Sequence, residues 1–431
     1  MGEVTLQEVL DAREARAERQ RRLLARWREP LLSCTMNIAG PVKRSALGDF
    51  LFRETLGTLR EALGDRLLCE EDTEAETGLE ALLVCAMPAE EVKVLGEALE
   101  DAGEAGRLLD LDVIGPEGEK HSRRSPRPCL VCGGPAGPCA RSRAHGLETV
   151  QQETERRLRM FAAERLAALA VEALLTEVEL TPKPGLVDRR NSGAHRDMDL
   201  PLFFRSARSL EPYFRRAVEL GMDRADCMGE LQQMGRAAEE TMLAATGGVN
   251  THKGAVYAFG LLLAALGGVL VRGGDVFAGA AALAGAGQPP AGQPPVGRAP
   301  AGHAPEGETH GGRAARLYGA GGARGEALAG FPHARRAWAV LTGEGGAYGA
   351  LLMLLAEVED TNLLYRGGRP GLRFVQEAAR EILAEPAGMW SARLEALDDA
   401  CIARGLSPGG SADLLALALL LRRTEDVWRQ A

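Results

Sequence analysis

The first third of the chain shows two hydrophobic periods, and each period predicts one kind of element. Apolar residues that alternate with polar ones predict strands, and apolar residues three or four positions apart predict helices. Thr5 and Glu8 form a capping box that opens a helix running toward Trp27. The order of the elements that follow, βαββαβ, predicts an α+β domain with the ferredoxin-like split unit. These elements are strands near 31–38, 66–70, 79–86 and 107–114, with helices near 52–63 and 88–99.

Beyond Leu147 the strand patterns end, and long helical patterns rich in alanine and leucine take over. We therefore predict two domains, an α+β domain at 1–155 and an all-α domain at 156–431, with the boundary inside a connecting helix. Residues 285–312 are mostly glycine, alanine, proline and glutamine, which predicts a disordered insertion. Four stretches are apolar enough to predict buried helices, namely 166–175, 255–266, 350–358 and 412–421.

Composition and charge exclude several classes of protein. The formal net charge of −9 over 431 residues gives no global field for nucleic acid, so an anionic ligand requires local cations. The first ten residues lack the apolar core of a signal peptide, and the longest apolar run, 261–271, is too short to span a bilayer. Eight cysteines are too few for a disulfide scaffold. We expect a cytoplasmic protein without a nucleic-acid or membrane partner.

Two acids stand two positions apart in the last predicted strand of the first domain. Asp110 and Asp112 point to the same face of that strand, with Cα atoms roughly 7 Å apart. Such a pair can bind Mg²⁺, which in turn binds a triphosphate. A solvated strand face is the alternative, but aspartate is poorly suited to strands, which favours a metal site.

A segment rich in cysteine and arginine closes the first domain. Its four metal-binding side chains, Cys129, Cys132, Cys139 and His145, are types that suit tetrahedral Zn²⁺. Their spacing matches no common zinc finger, so plain buried thiols are an equal alternative, and a thioredoxin-like redox role is less favoured.

The same segment carries two guanidinium groups suited to phosphate oxygens, those of Arg141 and Arg143. Ordinary surface arginines are the alternative interpretation of this pair.

Three motifs of the first domain, 37–43, 106–113 and 129–145, together resemble the apo-citrate lyase phosphoribosyl-dephospho-CoA transferases. The resemblance covers roughly the first 150 residues. It implies transfer of a nucleotide-like group from a triphosphate to a serine of the citrate lyase acyl carrier (gamma) subunit, with release of pyrophosphate. We expect Asp110 and Asp112 on the metal ion, with Lys43, Arg141 and Arg143 on phosphates.

The helical domain carries five polar loops punctuated by glycine between its apolar helices. Polar loops at helix ends are where an all-α protein builds a site, although a turn plus a helix cap explains any single loop. The loop before the helix at 255 offers backbone N–H groups and Lys253 to an anion, but it is not a Walker P-loop. Some of the acids are expected to bind Mg²⁺. The loops are 181–188 with 193–195, then 246–254, 322–326, 360–362 and 407–413.

These five loops, in this order, closely resemble the triphosphoribosyl-dephospho-CoA synthases, from about residue 166 to the C-terminus. The resemblance implies that ATP and dephospho-CoA are joined through a ribosyl linkage and that adenine is released. The residues expected to bind these substrates are Lys183, Asn250, Thr251, Lys253, Arg324, Asn362 and Ser411.

The implied product has an α-ribosyl bond, whereas ATP is a β-nucleoside, so the ribosyl carbon inverts in a single displacement. This requires a base for the attacking hydroxyl and an acid for departing adenine. The candidates for base or metal ligand are Asp188, Glu326, Asp360 and Asp413. The candidates for the acid are His195 and His252.

The two resemblances predict a bifunctional transferase, since the product of the second domain is the substrate of the first. Two alternatives remain open at this point. The helical synthase can serve malonate decarboxylase, which uses the same prosthetic group. A zinc-bearing interaction module without catalysis is the other.

Overall fold

The computed structural model of the chain describes residues 2–123, 125–287, 310–343 and 345–429. The chain divides into two compact units, Met1–Ala162 and Ala163–Ala431. The division falls inside one long helix, Leu147–Glu179, a few residues beyond the boundary at 155 that the sequence predicts. The predicted disordered insertion falls largely on residues 288–309, which lie outside the described residues.

The first unit contains the predicted helices and strands, together with a short helix and a two-residue strand that the sequence did not predict. Its helices are α1 Leu6–Trp27, α2 Ala46–Leu63, α3 Ala89–Glu100 and α4 Ala136–Ser142, and helix α5, Leu147–Glu179, begins here. Its strands are β1 Leu31–Met36, β2 Leu67–Ala75, β3 Gly78–Cys85, β4 Leu109–Ile114 and β5 Lys120–His121. Two 3₁₀ turns lie at Gly64–Arg66 and Gly106–Leu108.

Helix α1 begins at the predicted capping box. The backbone N–H of Glu8 donates to the Thr5 hydroxyl at 3.2 Å, and the Glu8 carboxylate accepts from the Thr5 N–H at 2.7 Å. Two otherwise unpaired N–H groups of the helix start are satisfied in this way, which fixes where the helix begins.

Within the described part of this unit, five strands form one antiparallel sheet in the order β2-β3-β1-β4-β5. Strand β1 is central, and it pairs Ser33 with Asp112 and Thr35 with Asp110 of β4. We propose that this sheet, with α2 and α3 as its crossovers, is the ferredoxin-like split unit. A core beneath the sheet includes five buried side chains: Leu23, Leu31, Leu82, Val84 and Ile114.

The described residues of the second unit form helices joined by loops, and none of them lies in a strand. After α5 its helices are α6 Leu200–Ser209, α7 Glu211–Asp223, α8 Met228–Ala245, α9 Lys253–Arg272, α10 Val276–Ala286, α11 His310–Tyr318, α12 Gly322–Leu328, α13 Pro332–Val340, α14 Gly346–Glu357, α15 Thr361–Leu383, α16 Trp390–Arg404, α17 Gly409–Arg423 and α18 Glu425–Trp428, with a 3₁₀ turn at Ala387–Met389. The four predicted buried helices are confirmed in α5, α9, α14 and α17.

Helix α9 forms the centre of this unit and crosses α7 at close range. A Cβ atom on Gly221 would lie 1.9 Å from the carbonyl oxygen of Ala264, and one on Gly267 would lie 2.3 Å from that of Val218. Both glycines therefore permit the backbones to approach. At 20 residues α9 is long and apolar enough to cross a membrane by length and composition, so the prediction that this apolar run is too short is wrong. However, 83% of the apolar stretch of this helix is buried inside the protein, which is typical of a core helix.

Candidate active sites

The acid pair of the first unit lies on one face of β4. Leu111 and Val113 are buried on the opposite face, whereas Asp110 is half-buried and Asp112 is exposed. Burial, and after it the negative charge of Asp112, raises the pKa of Asp110. The predicted strand placement is confirmed, and the pair is a concentration of negative charge that a cation would stabilise.

The two carboxylates line a cleft of about 370 Å³ that also contains cations. Arg127 Nη1 lies 3.0 Å from Asp110 Oδ1. Lys93 is buried, and its Nζ donates to the carbonyl oxygen of Leu111 at 3.2 Å. Burial lowers the pKa of Lys93. A cleft with two acids and several cations can hold a metal ion and phosphate groups together. Its other lining residues are Asp112, Val113, Lys120, His121, Ser122 and Arg123.

A buried glutamate fixes two of these cations. Arg123 Nη1 donates to Glu100 Oε2 at 2.8 Å, and Arg127 donates to Glu100 Oε1. The same Oε1 accepts the N–H of Leu111 at 2.8 Å, which ties the carboxylate to β4. The guanidinium groups are therefore held in place at the cleft before any ligand arrives.

The three cations that the sequence predicted for phosphate binding are not among the residues that line this cleft. Lys43 Nζ donates to the carbonyl oxygen of Ile38 at 2.7 Å, inside its own loop. Arg141 and Arg143 are exposed at the end of α4. The described cleft instead takes its positive charge from Lys93, Lys120, Arg123 and Arg127.

The predicted zinc ligands come together. The ligand atoms of Cys129, Cys132, Cys139 and His145 all lie within 4.8 Å of one another. The alternative of buried thiols does not hold, because Cys132 is exposed and the other two cysteines are half-buried. Three thiols and one imidazole are a donor set that tetrahedral Zn²⁺ takes, so the group fits zinc.

The thiols of Cys129 and Cys139 differ in pKa. Burial raises the pKa of the Cys129 thiol, but backbone N–H groups of Cys132 and Val131 oppose this and lower the pKa to about 6. The neighbouring thiol of Cys132 raises the pKa of Cys139 to about 11. Cys129 is therefore ionised more readily than Cys139, and a thiol that binds a metal ion must be ionised.

In the helical unit, Asp360 joins the starts of two helices. One carboxylate oxygen accepts from the N–H and the hydroxyl of Ser411, at 2.7 and 3.0 Å, at the start of α17. The other accepts from the N–H groups of Asn362 and Leu363, at 2.9 and 3.2 Å, at the start of α15. Burial raises the pKa of Asp360. With these four donors the carboxylate holds two of the predicted loops together.

Asp413 lies two residues beyond Ser411 on α17, against the first turn of α9. A Cβ atom on Gly254 would lie 2.0 Å from Asp413 Oδ2. Burial, then the charges of Glu177 and Asp360, raises the pKa of Asp413 well above its ordinary value. Among the described residues, no hydrogen-bond donor binds this carboxylate. Asp413 is therefore a half-buried acid that retains its full capacity to accept a proton or bind a cation.

Lys183 and Asp188 organise the loop after α5. Lys183 is 1% exposed, and its Nζ lies 2.6 Å from Glu177 Oε1. Asp188 accepts the N–H groups of Lys183, Arg190 and Asn191 at 2.8, 2.7 and 3.1 Å. Asp188 is thus occupied by backbone donors, which identifies it as a loop-forming residue.

Both candidate histidines are held neutral. Burial lowers the pKa of His252 to about 3, and its Nδ1 lies 2.7 Å from the hydroxyl of Ser206. Burial, and then the charge of Arg366, lowers the pKa of His195. Arg366 donates to His195 Nδ1 at 3.3 Å, so Nε2 carries the proton and donates to Ser407 at 2.9 Å. These contacts count against either imidazole as a cationic acid toward adenine.

The loop before α9 is held by its own contacts. Lys253 Nζ lies 2.7 Å from Glu239, and the Lys253 N–H donates to Asn250 Oδ1 at 3.3 Å. The Thr251 hydroxyl lies 2.6 Å from that of Ser206. Lys253 and Asn250 are exposed, so both remain accessible to a ligand.

Two side chains of the loop at 322–326, those of Arg324 and Glu326, lie next to different helices. Burial raises the pKa of Tyr257 on α9, and the positive charge of Arg324 opposes that shift, so Arg324 lies near the Tyr257 hydroxyl. Glu326 pairs with His333 Nδ1, and this bond raises the pKa of His333. Glu326 is therefore engaged in an ion pair on α13, which makes it a weaker candidate for a base.

Glu177, Lys93 and Arg127 are site residues that sequence reasoning missed. The signal for Glu177 was an acid between Leu174 and Val178 in an apolar helical stretch, where an unpaired charge is costly. Lys93 and Arg127 carried no such signal, because the sheet brings them to the acids from separate elements.

Known families match both units. Residues 4–161 match the family described as apo-citrate lyase phosphoribosyl-dephospho-CoA transferase, and residues 163–431 match the family described as ATP:dephospho-CoA triphosphoribosyl transferase. Protein CitXG of Haemophilus influenzae is 36% identical over 96% of this chain and 95% of its own length.

Separate synthases match about three fifths to two thirds of the chain. The 2-(5''-triphosphoribosyl)-3'-dephosphocoenzyme-A synthase of Haemophilus ducreyi is 38% identical, over 67% of this chain and 98% of its own length. A probable synthase of the same name from Pseudomonas putida is 43% identical, over 60% of this chain and 94% of its own length. With one family match in each unit and a relative aligned over nearly its whole length, the chain belongs to the ATP:dephospho-CoA triphosphoribosyl transferase family and carries an apo-citrate lyase phosphoribosyl-dephospho-CoA transferase domain before it.

Proposed function

We propose that the chain builds a prosthetic group in its helical unit and attaches it to a carrier protein in its α+β unit. It is a bifunctional transferase. The helical unit makes triphosphoribosyl-dephospho-CoA from ATP and dephospho-CoA. The α+β unit transfers phosphoribosyl-dephospho-CoA to the acyl carrier (gamma) subunit of citrate lyase. One observation carries this proposal: each of the two units matches the family of one transferase, and each unit contains its own polar site. The two transferases catalyse successive steps.

The first reaction exchanges one bond at the ribosyl carbon of ATP. A ribose hydroxyl of dephospho-CoA attacks that carbon, the bond to adenine breaks, and the triphosphate stays intact. The hydroxyl loses its proton, and the departing adenine nitrogen gains one. Inversion at the carbon places the attacking oxygen and adenine on opposite faces, so base and acid lie on opposite sides of the ribose.

Asp413 is the best-placed base for this displacement. Its carboxylate carries no hydrogen bond from the described residues, and its raised pKa makes it a stronger proton acceptor than an ordinary aspartate. Asp188 and Asp360 are satisfied by backbone and serine donors, so they position the loops. Neutral His195 and His252 serve as hydrogen-bonding groups at this site.

The start of α9 is the place for the triphosphate. Exposed Lys253 and Asn250 lie there beside the backbone N–H groups of the first helical turn. Asp413 adds a negative charge at the same turn. Oxygen donors of this kind suit Mg²⁺, which would offset the repulsion between carboxylate and triphosphate. The negative charges of Glu177 and Asp360, which act on Asp413, would add to the attraction for that ion.

The second reaction takes place at the acid pair of β4. The oxygen of the carrier serine attacks the phosphorus next to the ribose and its proton passes to solvent, while the bond to the outer two phosphates breaks to release pyrophosphate. Asp110 and Asp112 would hold Mg²⁺, which neutralises phosphate charge when bound. Arg123, Arg127 and Lys93 supply fixed positive charge for the departing pyrophosphate.

The state of the cysteines supports a cytoplasmic location. All eight cysteines are free thiols. Free thiols persist in the reducing cytoplasm, where we place this enzyme.

One assay tests the first reaction. The full chain, incubated with ATP and dephospho-CoA, should release adenine only when both are present, and Asp413→Asn should abolish release. Asp426→Asn, at an exposed acid of α18, is the matched control and should behave as the unchanged chain. Release of ADP or AMP in place of adenine would contradict the proposed glycosyl transfer. Adding the carrier subunit should then increase its mass by one phosphoribosyl-dephospho-CoA.

A further inference from the structure

The segment after β5 carries a cluster of ligand atoms that form no covalent bond to one another. The Sγ atoms of Cys132 and Cys139 are 3.7 Å apart, much longer than the ~2.05 Å of a disulfide. The Nε2 atom of His145 is buried and has no hydrogen-bond partner. A buried nitrogen without a partner costs free energy, and coordination to a metal ion beside the three thiols would satisfy it.

The backbone around the first two cysteines has the tight turn that a metal-binding pair needs. The Cys129 N–H donates to the carbonyl of Gly134 at 2.5 Å, and the Gly133 N–H donates back to the Cys129 carbonyl at 3.0 Å. Gly133 adopts a φ of +70°, which favours glycine. The turn brings both sulfur atoms to one side, where Cys139 of α4 joins them.

This segment has almost no apolar core of its own. Among the described residues between Ile114 and Leu158, no hydrophobic side chain is fully buried. A stretch of this length without a core needs another source of stability, and a structural metal ion is one that small domains use.

The same segment contains Arg127, the cation that contacts Asp110 of the acid pair. Arg127, two residues before Cys129, lies 3.0 Å from Asp110. Its carbonyl accepts the Ala136 N–H at 3.0 Å, which closes the turn that contains the first two cysteines. Arg107 Nε binds the next carbonyl, that of Pro128, at 2.6 Å. The backbone of Arg127 is therefore hydrogen-bonded into the same turn that holds Cys129 and Cys132.

We propose that Cys129, Cys132, Cys139 and His145 bind one Zn²⁺, and that this zinc site positions Arg127 on Asp110. The carrier-modifying reaction then depends on zinc, whereas adenine release does not. This dependence rests on the proposed function of the acid pair, but the zinc site itself does not. Arg127 supplies its charge to the phosphates from its place on Asp110, and the zinc site acts through Arg127 as a positioning device.

The test begins with metal content and not with activity. Elemental analysis of the full chain should give about one zinc per chain. Cobalt exchanged for zinc should give thiolate-to-cobalt charge-transfer absorption. Cys129→Ser and Cys139→Ser should each lose the metal. Cys69→Ser, at a half-buried cysteine on β2 outside the ligand group, is the matched control and should retain it.

The second part measures both reactions on each variant. Zinc loss, by Cys129→Ser or by a chelator on the unchanged chain, should reduce carrier modification about ten- to hundredfold, while adenine release stays constant and reports an intact helical unit. Arg127→Ala should keep its zinc and show the same selective loss, whereas Cys69→Ser should lose neither.

Three results would overturn the proposal in distinguishable ways. Absence of zinc with the cysteines reduced removes the site. Full carrier modification after zinc removal leaves the site but removes its link to Arg127. Failure of the unchanged, zinc-loaded chain to modify the carrier counts against the proposed function, and the metal and cobalt measurements still decide the site.

Discussion

The ammonium group of Lys183 lies 2.6 Å from the carboxylate of Glu177, and both side chains are almost completely buried. A buried pair of this kind is costly to desolvate, and each partner needs the other. Burial raises the pKa of Glu177, and Lys183 opposes that shift. The pair links the end of α5 to the first polar loop, and the charge of Glu177 also contributes to the raised pKa of Asp413.

Removing one partner should destabilise the helical unit. Lys183→Met leaves Glu177 buried and unpaired, and we expect the free energy of unfolding to fall by about 3–5 kcal/mol. The double variant with Glu177→Gln should recover part of this loss, because no uncompensated charge remains. Arg189→Met, which breaks the exposed ion pair with Glu179, is the control and should cost about 1 kcal/mol or less. Urea unfolding of each variant measures these values, and a double variant no more stable than Lys183→Met would contradict the argument.

The bond between Asp360 and Ser411 gives a second prediction. Ser411→Ala removes one of four donors to a buried carboxylate, so the free energy of unfolding should fall by about 1–3 kcal/mol. Because Ser411 and Asp413 lie two residues apart near the start of α17, adenine release should fall as well. Ser391→Ala, at an exposed serine of α16, should change neither quantity. Unchanged stability and rate in Ser411→Ala would show that the backbone N–H of Ser411 suffices.

The sequence predicted the helices and strands better than it predicted which side chains contact one another across them. The strand of Asp110 and the core helix α9 were predictable because alternation and apolar length are local properties. Strand β5 and helix α4 were missed, since each is short and lies among glycines and prolines. The five loops were predicted singly, but the contact of Asp413 with Gly254 depends on how α17 and α9 pack. The same limit applies to Arg127, which reaches Asp110 only in the folded sheet.

The buried His252 should make the helical unit sensitive to acid. Its pKa is lowered from 6.5 to about 3, so the unfolded state binds a proton that the folded state refuses. The contribution of His252 to stability is fully present above pH 6.5 and is lost as the pH falls toward 3. Each pH unit within that window should cost up to about 1.4 kcal/mol. Urea unfolding at pH 7 and pH 5 should show this slope, and His252→Gln should flatten it. An equal slope in His252→Gln would assign the acid sensitivity to other groups.

The acid pair of β4 should be needed for one reaction only. Asp110→Asn and, separately, Asp112→Asn should abolish modification of the carrier subunit, because the triphosphate would then repel the attacking serine with no metal-bound charge to offset it. Adenine release should continue at the unchanged rate, since the helical unit carries its own acids. Mass spectrometry of the carrier and chromatography of adenine measure the two reactions in the same mixture.

Asp65→Asn, at an exposed acid of the turn before β2, is the matched control for this pair and should leave both reactions intact. The triphosphoribosyl intermediate should accumulate in the two β4 variants, because its formation continues while its consumption stops. Normal carrier modification in both variants would make the pair a solvated strand face, with Arg127 bound to Asp110 for structural reasons alone. Loss of adenine release in correctly folded protein would instead mean that the two units do not act separately, and the division of labour between the units would be wrong.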